Sequence, residues 1–181
     1  MSVAAWTLIG LVVLLGFWAL GAYNRLVGLR HAIGQAWTQV QALLRQRGAA
    51  VAPLVVALRE PLAAESASLD ALLTAQARVD AAADALGARP TLAELAGAMA
   101  RAEQAMTASS SRVLALLEHA PALREADEVA ALLVTLNEAQ AGLAFARQLF
   151  NDAAQRYDEA AAQFPTRLLT RMFGLAPAGR I

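Results

Sequence analysis

The chain carries no Asp, Glu, Lys or Arg before Arg25. Inside that uncharged lead, residues 3–21 read VAAWTLIGLVVLLGFWALG, apolar throughout apart from Thr7. At about 1.5 Å per residue this stretch makes a helix of roughly 28 Å, close to the ~30 Å hydrocarbon core of a bilayer. Trp6 stands near one end, and Trp18 and Tyr23 stand near the other. Amphipathic rings settle at the headgroup level, so these three are interface anchors. A cleaved signal peptide carries a basic leader and a shorter apolar core. A buried core helix is usually shorter and lacks aromatics so near its ends. Residues 1–24 are therefore expected to be a transmembrane anchor. Arg25 and Arg30 flank it on the C-terminal side, and only the amino terminus is charged on the other. Basic residues beside a span stay in the cytoplasm, which puts the N-terminus outside and the bulk domain inside.

Past Arg25 the charge is evenly mixed. Fifteen basic residues, all of them Arg, balance fifteen acidic ones. No block of like charge appears, so the footprint of a nucleic-acid binder is absent. There is no Cys, which excludes disulfides and thiolate metal sites. The abundance of Ala and Arg suits a GC-rich bacterial genome, and the membrane expected is the bacterial inner membrane.

Helical spacing runs through residues 25–181, and no period-two run argues for a strand. In the last third, Val129, Leu136, Leu143, Phe150, Tyr157 and Phe164 stand seven apart. Leu132, Ala139, Ala146, Ala153 and Ala160 follow three residues later, completing an a/d seam. Ala154 falls on the flank of that seam. An earlier helix carries Leu92, Leu95, Met99, Ala102, Met106, Ser109, Val113 and Leu116, with a capping box at Thr91 and Glu94. In the first half, Leu26, Ile33, Val40 and Leu54 share one heptad row, interrupted by Arg47. Trp37, Leu44, Val51 and Leu58 share another. Two breaks compete for the first hairpin, Gly48 to Pro53 and Glu60-Pro61. The phase crosses the first without a slip. A turn at 60–61 gives helices of about 37, 26, 27 and 36 residues, in which the two long ones match and the two short ones match. A turn at 48 would drive the second helix back into the membrane. The expected fold is all-α: a transmembrane helix (1–24) continuing into an antiparallel four-helix bundle (25–165), then an apolar, Arg-containing tail (166–181).

The chemistry-bearing patterns are few. His31 and His119 are far apart and read as surface or helix-end residues. Nucleotide-binding loops, zinc-protease motifs and nucleophile elbows do not occur. SSSR at 109–112 reads as small polar residues at a helix surface or crossing, and Asp152, Asp158 and Glu159 as a solvated face. Arg147 borders the seam and is expected to pair with an acid on a neighbouring helix. No catalytic, cofactor or metal site is expected. In the tail, Leu168, Leu169, Met172 and Phe173 alternate with Arg167 and Arg171, which suits either an interfacial segment or packing around Tyr23 and Trp37.

YNRLVGLR at 23–30, with Tyr23, Asn24, Arg25 and Leu26, and AWTQV at 36–40, with Trp37, resemble the start of the LemA family of bacterial membrane proteins. Phe150-Asn151, Tyr157-Asp158, Phe164-Pro165 and Phe173-Gly174-Leu175 resemble the family's C-terminal pattern in order and spacing. Asp158 stands where the pattern has Asn, and Leu175 where it has Phe. RGAAVAPLV at 47–55 matches a Pro-containing apolar stretch of the family. The resemblance implies an N-terminal anchor with a cytoplasmic helical bundle and offers no activity. The function expected is a scaffold or adaptor at the inner membrane, with the lipid bilayer and an unidentified protein as partners. The alternatives are an accessory subunit of a membrane enzyme complex and a homo-oligomer that shapes membrane.

Overall fold

The structure, a computed structural model, describes residues 3–164, 166–167 and 176–181. Pro165 of the family pattern, Phe173 and Gly174, and the proposed interfacial residues Leu168, Leu169 and Met172 lie outside the described residues. The described chain is all-helical up to residue 162, without strands. α1 spans Val3–Arg59, α2 Ser66–Ala88, α3 Ala93–Glu118, α4 Pro121–Arg124 and α5 Asp127–Ala162, with a 3-10 turn at Ala63–Glu65 between α1 and α2.

α1 is one helix of 57 residues, roughly 86 Å long. Its first turn-breaking candidate, Gly48 to Pro53, lies inside it. Pro53 lacks the N–H that would bond four residues back. Its ring is exposed, while Ala50, Val51, Leu54 and Val55 beside it are at most 3% exposed. Burial of that face holds the helix through the missing bond, because packing of an apolar face supplies most of a helix's stability. Glu60 and Pro61 have no such face, both being exposed, and Pro61 steers Glu60 away from helical backbone. The hairpin therefore falls there. Both heptad rows of α1 are buried from Leu26 to Leu58, and Arg47 is buried with them.

The 23 residues of α2, 26 of α3 and 36 of α5 are close to the lengths anticipated. α5 runs antiparallel along α1: Trp37 meets Phe150 edge to face at 5.8 Å between ring centres, and Leu43 lies against Gly142. α2 runs back along α1, where Gly87 makes room for the Trp37 indole. A Cβ at Gly87 would sit 3.1 Å from its Nε1. α3 then packs on α2 and runs parallel to α1, with Arg30 reaching Thr91. The close pairs are α1–α5, α2–α3 and α1–α2. α3 and α5 are not among them, so three seams are packed tightly and the fourth is looser.

Several sequence expectations shift. The buried row of α5 is Val129, Leu133, Ala139, Leu143, Ala146, Phe150, Ala154, Tyr157 and Ala160. Leu133 and Ala154 are buried, while their d-row neighbours Leu132 and Ala153 are half-buried, so Ala154 is core rather than flank. Phe164, last of the heptad row, is 78% exposed because α5 ends at Ala162. The capping box does not form: the N-cap of α3 is Leu92, without a side-chain cap, and the Thr91 hydroxyl accepts from Arg30 instead.

From Trp6 to Leu20 no large apolar side chain of α1 is buried; Leu14 is 65% exposed and Phe17 71%. Eleven such side chains left in water would cost about 16 kcal/mol or more. That rivals the whole folding free energy of a domain, about 5–15 kcal/mol. This segment is long and apolar enough to cross a membrane. α5 also passes that test of length and composition, but its apolar face is turned onto α1.

Candidate functional site: the seam between α3 and α5

The loose seam holds three features in succession, counted from the end near Arg25. The first is a seat for the chain's own C-terminal segment. Asn151 donates from Nδ2 to the Ile181 carbonyl at 2.9 Å and accepts from the Ile181 N–H at 3.0 Å. Asp158 accepts from the Ala178 N–H at 2.7 Å and lies 3.5 Å from Arg180. Seven helical residues rise about 10.5 Å, and three residues of extended chain cover about the same distance. Two side chains two turns apart on α5 can therefore each grip the backbone of a segment lying beside it. Asp158 can only accept, so it grips through one N–H and adds the Arg180 pair. Tyr157, wholly buried, directs its hydroxyl at the Ala176 carbonyl, 3.4 Å away. Burial pushes its phenol pKa up, outweighing the lowering by Arg30, and Asp158 adds to the rise. On the other wall, Gly179 lies on the first turn of α3. A Cβ there would come within 2.5 Å of the Ala93 Cα and the Ala96 Cβ. Residues 176–181 thus pack against α5 and α3.

The second feature is a buried ion cluster. Glu103 receives Arg47 in a two-pronged pair, Nη1 to Oε2 at 3.0 Å and Nη2 to Oε1 at 2.5 Å, and it also receives Arg147. Arg47 and Glu103 side chains are 4% and 5% exposed, and Arg147 is 28% exposed. Planar guanidinium and carboxylate match in fork geometry, which is what offsets removing them from water. The expected pairing of Arg147 is present, with Glu103 as its acid. The signal for the rest was one charged residue in an otherwise apolar row: Arg47 in α1, and Glu103 in the α3 row of Ala96, Met99, Met106 and Val113. Among the described residues, the Arg47 Nε–H is buried without an acceptor.

The third feature, next to Arg47, is a pocket of ≈ 180 Å³. Its floor is buried and apolar, from Val51 and Leu54 of α1, Leu72 of α2, Met106 and Val113 of α3 and Leu133 of α5. Its mouth is exposed or half-buried and polar, from Thr107, Ser110, Ser111, Asn137 and Gln140. Two residues of the SSSR cluster thus line a pocket. Arg47 is the sole ionisable side chain in this wall, and Arg stays protonated. The wall offers binding groups and no general base.

The remaining expected residues fall elsewhere. Trp6, Trp18, Tyr23 and Asn24 are exposed or nearly so along the apolar end of α1, and Leu26 and Trp37 are core. Arg25 reaches Gln163 at 3.4 Å, so the end of α5 stands level with the end of the apolar stretch. His31 is exposed and His119 caps α3.

A search of curated proteins finds no significant match. A comparison with known families matches residues 36–180 to one family, a range that takes in Trp37, the ion cluster and the clamp of Asn151, Tyr157 and Asp158 on the C-terminal segment, and the chain therefore belongs to the LemA family.

Proposed function

We propose that the protein is a membrane-anchored scaffold or adaptor, held by residues 1–24 in the bacterial inner membrane with the N-terminus outside and residues 25–165 in the cytoplasm as an antiparallel four-helix bundle. Its partners are the lipid bilayer and a protein bound by the bundle. The observation that carries this reading is α1 itself. One uninterrupted helix carries exposed apolar side chains from Trp6 to Leu20 and buries one face in the protein core from Leu26 onward. A chain with no linker between anchor and bundle presents the bundle at a set height and orientation, which is what a scaffold requires. The loose seam, where an extended segment is already gripped by side chains, is the surface best suited to binding.

The native chain has no Cys, so single introduced cysteines report topology cleanly. Ser2→Cys is expected to react with a membrane-impermeant thiol reagent added outside the inner membrane, and Ser66→Cys to be protected. The reverse pattern would overturn the orientation. Protection of both would remove the span. Gentle detergent extraction and mass spectrometry of co-purifying proteins then test the adaptor role.

A further inference from the structure

We propose that the cleft between Arg25 of α1 and the end of α5 binds the headgroup phosphate of an anionic phospholipid. Trp18, Gly21, Ala22 and Arg25 of α1 line it, with Ala160 of α5 and Thr166, and its volume is ≈ 320 Å³. At about 30 Å³ per water molecule it has room for roughly ten, more than a phosphodiester needs. Arg25 supplies the cation. Its side chain is exposed, and among the described residues its one partner is the neutral Gln163, which takes Nη1 at 3.4 Å. A guanidinium carries five N–H donors, so the others are left for an anion. No Asp or Glu stands before Glu60 or after Glu159, and neither Asp158 nor Glu159 is in the cleft wall. No acid of the chain therefore competes for Arg25 in the cleft.

Depth selects the kind of anion. Leu20 is the last exposed aliphatic side chain of the apolar run, and Arg25 follows five residues on, roughly 7.5 Å along the helix. The headgroup layer adds about 5–7 Å to each side of the hydrocarbon core. Arg25 thus stands at phosphate depth, and the exposed Leu14, Phe17 and Trp18 beneath it give acyl chains an apolar track. A molecule that meets both is an amphiphile with an anionic head. Guanidinium and phosphate oxygens match as a two-pronged pair, and the Thr166 hydroxyl adds a donor. Basic pockets at the cytoplasmic end of a span suit anionic headgroups. A zwitterionic headgroup brings its own cation into a wall that has no acid to receive it, so the anionic lipid is favoured. The inference rests on the membrane span proposed above and not on its orientation.

The test uses the full chain with fluorotryptophan in phosphatidylcholine nanodiscs, into which phosphatidylglycerol is introduced stepwise. Trp18 lines the cleft, Trp37 is in the core and Trp6 stands near the other end of the span. Their fluorine resonances therefore report the site, the fold and any general effect of lipid charge. The Trp18 resonance is expected to shift saturably with phosphatidylglycerol, without a saturating change at Trp6 and with Trp37 in place. Arg25→Gln should weaken this binding about tenfold or more, since hydrogen bonds to a charged group are lost. Arg30→Gln should leave it unchanged, because Arg30 is outside the cleft wall and reaches Thr91. Gly21→Leu fills the cleft from a position where a Cβ meets nothing within 4 Å, and should weaken binding in a chain whose Trp37 signal is unchanged. Soluble glycerol phosphate, added to discs of phosphatidylcholine alone, should leave Trp18 in place. The inference is overturned if Trp18 shows no saturable response, or if Arg25→Gln and Arg30→Gln weaken it equally, which would reduce the effect to surface charge. It is equally overturned if Gly21→Leu binds like the native chain, or if glycerol phosphate reproduces the shift, which would make the ligand a free phosphate. Failure of the span itself reads differently: Trp6 and Trp18 would then escape quenching by brominated lipids, whereas failure of the lipid site alone leaves that quenching intact.

Discussion

Glu103 shows how much one residue can matter when two cations depend on it. Removing it leaves Arg47 buried without its paired acid. Loss of one partner from a buried ion pair costs about 3–5 kcal/mol. Glu103→Ala is therefore expected to lower unfolding stability by that amount, measured by denaturant titration in a fixed detergent. Arg47→Met/Glu103→Leu, which removes both charges, should recover most of the loss, because apolar packing replaces a buried pair at little cost. Tyr157 supplies a second test at this scale. Its folded pKa lies above the ordinary 10.0, so the folded state keeps the phenol proton longer than the unfolded state does. Its contribution is then fully present below pH 10.0 and is lost as pH rises through the folded value. In a Tyr23→Phe chain, Tyr157 is the sole tyrosine, and its tyrosinate absorbance should titrate with a midpoint above 10.0.

Among the elements, α5 separates periodicity from burial. Leu143 and Ala154 are both wholly buried, although a strict heptad reading sets Ala154 aside. Leu143→Asp and Ala154→Asp should each cost several kcal/mol, since each buries an unpaired carboxylate. Ala141→Asp, on the exposed face, should stay within about 0.5 kcal/mol. Parallel thermal melts check the order, and a mild Ala154→Asp would place the α5 face wrongly. The C-terminal segment is an element held by few contacts. Gly179→Val drives a side chain into the start of α3. It should release residues 176–181 while leaving the helices folded. Amide exchange reads this directly: the Ala178 and Ile181 N–H groups, bonded to Asp158 and Asn151, should lose protection, and those of α1 should not.

At the scale of the whole molecule, the three tryptophans divide between two environments. Trp6 and Trp18 are exposed on the apolar end of α1, and Trp37 is 3% exposed in the core. In single-tryptophan variants reconstituted with brominated lipids, Trp6 and Trp18 fluorescence should be quenched and Trp37 fluorescence retained. Quenching of Trp37 alone would invert the division of α1 into lipid-facing and protein-facing parts.

The helices, their hairpins and the apolar span follow from the sequence, because 3.6-residue periodicity, prolines without a buried face and an uncharged run act through local chain geometry and solvent. The two buried rows of α1 were legible for that reason, down to the lone Arg47 inside one of them. The tertiary structure alone decided the partner of each charge and the use of each surface. That Glu103 takes Arg47 and Arg147 depends on three helices meeting at one level. That Asn151 and Asp158 grip residues 176–181 depends on the C-terminal segment lying beside α5, with Ala178 and Ile181 spaced to meet side chains two turns apart. The family resemblance marked Asn151 and Tyr157 without saying what they touch. The pocket among Ser110, Ser111, Asn137 and Gln140 left no trace in the sequence, since it exists only where α3 and α5 stay apart, and no local pattern records the distance between two helices.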